Sequence, residues 1–147
     1  MKIPFTLVAG HVLCTMDDKR VLIDIGSPYT FGRVEAIRFL GSLKHFDVNA
    51  PVPTVAEVVA EIRKMPDAPP AFDFDVLVGC DVLAGCIMEI DWAGKTLSIS
   101  PAPAGTLFSS TREPAELLPI VPVKVNGHTF DAFVDTGARV SYALPEC

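Results

Sequence analysis

The sequence predicts a mainly β fold with a few helices, arranged as one complete lobe of short strands followed by the opening hairpin of a second lobe. Three observations carry this. Short apolar runs alternate with turn signals along the chain, which holds 13 prolines and 10 glycines. Asn126-Gly127, a dipeptide suited to a two-residue hairpin turn, stands between two alternating runs. A hairpin ending on acid-x-Gly-small occurs twice, at 24–27 and at 135–138, an offset of 135 − 24 = 111 residues.

Taken in order, Ile3 to Val8 and His11 to Met16 read as strands broken at Ala9-Gly10. Asp17-Asp18-Lys19 is a polar turn, and Arg20 to Ile23 is a strand that runs into Asp24. Val34, Ile37 and Leu40 fall three apart, so the spacing predicts a helix over 33–43. Thr54 with Glu57 three residues on forms a capping box for a second helix. Its apolar face is Val55, Val58, Val59 and Ile62, and it stops before Pro66. Phe74 to Val78 is a strand ending at Gly79, and a short helix is expected over 82–88. Glu89 to Trp92 and Thr96 to Ser100 make a hairpin around Ala93-Gly94-Lys95, with Trp92 packed on it. The organisation is therefore a lobe over 1–101, a turn-rich linker over 102–118, and the start of a second lobe over 119–147. The second copy of the repeat stops 12 residues after its acid, as if the sequence ended within a lobe.

Composition narrows the function. The chain has 147 residues, half of them hydrophobic, with a net charge of −6 and no Lys/Arg cluster, which argues against a nucleic-acid partner. No apolar run approaches the ~20 residues that span a bilayer, so no membrane partner is expected. Ile3 to Met16 follows one lysine, is interrupted by His11 and ends on no small-x-small cleavage site, so cytoplasmic residence is expected over export. Cys14, Cys80, Cys86 and Cys147 include no C-x-x-C pair and no histidine at ligand spacing, so neither a metal nor a cofactor is expected. Cys80 and Cys86 read as reduced core or semi-core thiols, and His11, His45 and His128 as surface or turn residues. Asp73 and Asp75 read as solvated charges and Asp81 as a cap for the short helix.

Two acids on facing turns suit amide hydrolysis, because two close carboxylates cannot both ionise. The ionised member takes a proton from water and the protonated member polarises the carbonyl. An apolar strand before each acid supplies a rigid mount, and the following glycine permits a sharp turn and close approach to its mate.

The residues around the second acid, Phe133-Val134-Asp135-Thr136-Gly137-Ala138, resemble the catalytic turn of the pepsin and retropepsin superfamily of aspartic proteases. The preceding Val123 to Phe130 hairpin is similar to the one found there, and Leu22-Ile23-Asp24-Ile25-Gly26-Ser27 is a looser match. Leu77-Val78-Gly79 with the hairpin at 90–97 is similar to the family's downstream apolar-apolar-Gly element and closing hairpin. The resemblance implies an acid-protease-like β-barrel lobe and an aspartic endopeptidase acting on peptides or proteins, with Asp24 and Asp135 as the dyad. Gly26, Ser27, Thr136, Gly137 and Ala138 would support the turns, Ser27 orienting Asp24 and Thr136 bonding across to the other lobe. Ile25 stands where the family has Thr or Ser, and two expected helices occupy the interval that holds the family's flap. The 111-residue offset favours pairing within one chain, whereas a homodimer pairing equivalent acids is the alternative if the chain ends at Cys147. A catalytically inactive protease-like module for peptide binding or dimerisation is the rival reading. A cysteine hydrolase on Cys80 or Cys86 is the weaker third.

Overall fold

The structure, a computed structural model, describes residues 1–46, 52–103 and 119–138. Among these the chain is mainly β, with eleven strands and two helices. Strands β1 (Lys2–Val8), β2 (His11–Met16) and β3 (Lys19–Ile23) form an antiparallel meander. Its second turn is Asp17-Asp18, both with positive φ (51° and 58°), a geometry that short polar side chains tolerate and that matches strand twist. β3 then pairs in parallel with β7 (Val76–Val78), which also takes the short β4 (Phe31–Gly32) on its far side. At the other end, β1 changes partner near Pro4 and pairs with β9 (Thr96–Pro101), which pairs in turn with β8 (Cys86–Asp91). The result is an open seven-stranded sheet in the order β4-β7-β3-β2-β1-β9-β8; no barrel is closed among the described residues.

The central strands are buried on both faces, which explains their unbroken apolar runs. Val21 and Ile23 of β3 and Val76 and Val78 of β7 enter one core with Phe5, Val12, Leu97 and Ile99. Leu22 and Leu77 point the other way, onto Val55, Val59 and Ile62 of helix α1 (Val55–Arg63). Each of those three aliphatic side chains contributes about 1.5–3 kcal/mol on burial. The predicted capping box forms: Thr54 Oγ1 accepts from Glu57 N at 3.3 Å, and Glu57 Oε2 accepts from Thr54 N at 2.7 Å.

Several expectations are overturned. The stretch 33–43 is not helical: β5 (Ala36–Phe39) and β6 (Ser42–His45) form a hairpin around Leu40-Gly41, with φ of 49° and 81°. The three-residue spacing misled because Ile37 and Phe39, two apart, are the residues driven into the core, each 1% exposed. The helix expected over 82–88 is instead α2 (Cys80–Leu83), four residues long. Strand β8 has begun by Cys86, with Cys86, Met88 and Ile90 packed against the core while Ile87, Glu89 and Asp91 face outward. His11 is buried at the start of β2 rather than at the surface. Asp73 and Asp75 remain at the surface as expected, and in addition each is an ion-pair partner. Arg33 Nη2 reaches Asp73 Oδ1 at 2.8 Å, and Arg20 Nη2 reaches Asp73 and Asp75 at 3.2 Å. Trp92 stacks edge-on against Phe5 yet remains half exposed.

β10 (Ile120–Val125) and β11 (His128–Phe133) form the expected hairpin as a separate two-stranded sheet. Asn126 and Gly127 hold its turn with φ of 51° and 85°. The stretch read as a linker lies largely outside the described residues, at 104–118. No helix among the described residues is long and apolar enough to cross a membrane.

Candidate active site

Both acids sit just past the ends of hairpin strands. Asp24 follows β3, its backbone fixed by Asp24 N donating to Val78 O at 3.0 Å. Asp135 follows β11, beyond Val134, whose N donates to Pro119 O at 2.9 Å. Each acid then folds its own turn in the same way. Gly26 N donates to Asp24 Oδ1 at 2.9 Å, and Gly137 N donates to Asp135 Oδ1 at 2.7 Å. Ser27 N reaches Asp24 O at 3.2 Å, and Ala138 N reaches Asp135 O at 3.4 Å. The repeat seen in the sequence is thus a repeat of hydrogen-bonded geometry.

The two turns face each other, and the glycines are what permit it. A Cβ on Gly26 would overlap the Asp135 carboxylate. One on Gly137 would stand 2.9 Å from Asp24 Oδ1, closer than real Cβ atoms come. Each glycine therefore lies against the acid of the opposite turn. Thr136 ties the turns together: its Oγ1 accepts from Ile25 N at 3.1 Å and donates to Ile23 O at 3.1 Å. Thr136 is the repeat mate of Ile25, 111 residues on, so the side chain of one copy holds the backbone of the other. Ile25 carries no hydroxyl to return the bond and packs against the main core instead. Ser27 does not place its hydroxyl on Asp24; Ser27 Oγ donates to Tyr29 O at 2.8 Å, and the residue tightens its own loop.

Leu77, Val78 and Gly79 support the first turn from behind. Leu77 and Val78 are buried, and a Cβ on Gly79 would sit 2.5 Å from Tyr29 O and 2.7 Å from Ser27 O. That close approach lets Cys80 N donate to Ser27 O at 2.9 Å and Asp81 N to Pro28 O at 3.1 Å. Asp81 is not the N-cap residue of α2, which is Gly79, but it does satisfy a first-turn amide there, its Oδ1 accepting from Val82 N at 2.9 Å. Its carboxylate accepts from Thr30 N at 2.9 Å and Thr30 Oγ1 at 2.6 Å, and Thr30 Oγ1 accepts from Gly79 N at 2.9 Å. Thr30, Cys80 and Asp81 escaped the sequence reading as parts of the site. Their only signal was position: Thr30 lies six residues after the acid, and Cys80 and Asp81 directly follow Gly79.

The electrostatics follow from this packing. Burial, then the neighbouring Asp135 charge and a hydrogen bond with its carboxyl, push Asp24 up to about 6, against the pull of the Gly26 and Ser27 amides. A carboxyl held neutral in mildly acid solution beside a second acid can share a proton with it. Burial first, then the charges of Asp24, Asp81 and Asp135, push the Cys80 thiol up to about 11. That direction disfavours the thiolate a cysteine nucleophile needs. Burial also raises Cys86. No group of three metal-ligating side chains lies together among the described residues. Comparison with protein-family models, curated proteins and solved structures finds no match to this chain.

Proposed function

We propose that this chain is an aspartic-type peptidase module of the pepsin and retropepsin kind, with Asp24 and Asp135 as its acid–base dyad and a peptide as its substrate. The single observation that carries the reading is the reciprocal packing of each turn's glycine against the other turn's acid. Ordinary hairpin turns have no reason to bring two carboxylates together, because close like charges oppose one another. The dyad would hold one proton between its members. The ionised carboxylate draws a proton from a water, whose oxygen bonds to the peptide carbonyl carbon while the protonated carboxyl donates to the carbonyl oxygen. Collapse of the tetrahedral species breaks the C–N bond, and the amide nitrogen leaves with a proton returned from the dyad. The pair acts as a unit, so neither acid owns one role.

On this reading the β5–β6 hairpin, which falls between Asp24 and Gly79, is the candidate flap, and the open sheet is a first lobe of the acid-protease barrel. The rival, a protease-like module without activity, draws on Ile25, which leaves the bond between the turns one-sided. The test is cleavage of an unfolded protein at pH 4 to 6, with pepstatin as inhibitor. Activity that pepstatin blocks and that Asp24→Asn and Asp135→Asn each abolish supports the enzyme. Pepstatin-insensitive background in all three proteins leaves the binding module.

A further inference from the structure

We infer that Cys80 is a positioning residue for Asp24, acting through the Ile25–Gly26 peptide group. The inference deepens the proposed dyad and rests on that reading only for its catalytic consequence. Cys80 opens α2 and is 4% exposed. Its Sγ donates to Ile25 O at 3.1 Å, a short contact for sulfur. That carbonyl belongs to the same planar peptide group as Gly26 N, which donates to Asp24 Oδ1 at 2.9 Å. The thiol, the peptide and the carboxylate therefore lie in one line of donation.

Two consequences follow from elementary chemistry. A donor on the carbonyl fixes the tilt of the peptide plane and so the aim of its N–H at the carboxylate. It also polarises the amide, because hydrogen bonds in series strengthen one another. Ile25 N is held by Thr136 Oγ1 from the other turn, so Ile25 is anchored through its N–H by one copy of the repeat and through its C=O by Cys80. Cys80 thus restrains the turn that carries isoleucine in place of a hydroxyl residue. The thiol remains a donor across acid and neutral pH, since burial and the acids facing it, Asp24, Asp81 and Asp135, oppose its ionisation. Among the groups that act on Asp24, Asp135 is the charged one and the Gly26 and Ser27 amides oppose it.

The experiment is a carboxyl-carbon NMR titration of Asp24 in the whole chain, for wild type, Cys80→Ala, Cys80→Val and Cys80→Ser. Loss of the donor in the alanine variant raises the Asp24 midpoint by about 0.3–0.5 of a pH unit. Serine, whose hydroxyl donates to the same carbonyl, brings it back toward wild type. Valine keeps the buried volume without a donor and covers the case in which the alanine variant unfolds. Midpoints that agree across wild type, valine and serine overturn the inference, as does a serine variant displaced as far as valine. The alkaline limb of the cleavage rate against pH moves with the midpoint. Should wild type cleave nothing, the titration still reads the thiol's effect on Asp24, so this inference and the peptidase reading fail separately.

Discussion

Replacing Asp24 by asparagine should change how stability depends on pH, and by an amount the structure sets. The asparagine side chain keeps an oxygen to accept from Gly26 N but cannot ionise. In the folded protein burial and Asp135 push the Asp24 carboxyl up to about 6, from 3.8 without its surroundings. Because the folded value is the higher one, the folded chain holds the extra proton between those limits. The stability associated with the neutral carboxyl is full below about 4 and is lost as pH rises through about 6. At about 1.4 kcal/mol per pH unit the loss is at most about 3 kcal/mol. Water reaches the half-buried carboxyl and reduces this, so about 1.5–3 kcal/mol is expected, or roughly 1 M in the urea midpoint. Urea unfolding of wild type and Asp24→Asn at pH 4 and pH 7 measures it: groups that do not face Asp24 cancel in the difference, and what remains is the titration of the Asp24–Asp135 pair. Asp73, held down at about 2 chiefly by its hydrogen bond with Arg33, stays ionised throughout this window in both proteins. The asparagine variant should gain on wild type between pH 4 and pH 7. A difference in midpoint that is the same at both pH values would refute the assignment of Asp24 as a carboxyl strained by burial and by Asp135.

Gly26→Ala would drive its methyl into the Asp135 carboxylate, which must shift to make room; a loss of about 1–3 kcal/mol is expected by thermal unfolding, and on the proposed peptidase reading cleavage falls to background. Thr136→Val removes both bonds to the first turn and leaves Ile25 N and Ile23 O without that partner, a cost of about 2–4 kcal/mol in chemical denaturation, whereas Thr136→Ser retains most of it.

The parts of this fold that were legible in the sequence are those in which local pattern and tertiary packing demand the same thing. Strands β2 and β3, the Thr54–Glu57 box and the Asn126-Gly127 turn are of this kind, because their turn residues and apolar periods agree with where the core lies. The β5–β6 hairpin was not, because its residues satisfy two periods at once. Val34, Ile37 and Leu40 fit a helix, while the burial of Ile37 and Phe39 on one strand face decides the outcome. Its turn also places Leu40 at positive φ, which no propensity would assign to leucine. The candidate site divides along the same line. The acids and the glycines belong to the repeat, and the resemblance carried by its two turns named Asp24, Asp135 and Thr136 before any contact was known, the offset of 111 residues favouring their meeting within one chain. Cys80 belongs to no repeat. A thiol pointing at a carbonyl requires only a short side chain at a place fixed by Gly79, and no residue pattern announces it. An isoleucine in the first turn would leave that turn loose if the bond across the repeat were its only restraint. The structure has others: Asp24 N donates to Val78 O, Cys80 N donates to Ser27 O, and the Cys80 thiol donates to Ile25 O, so the shape of the first turn depends on β7 and α2, more than fifty residues downstream.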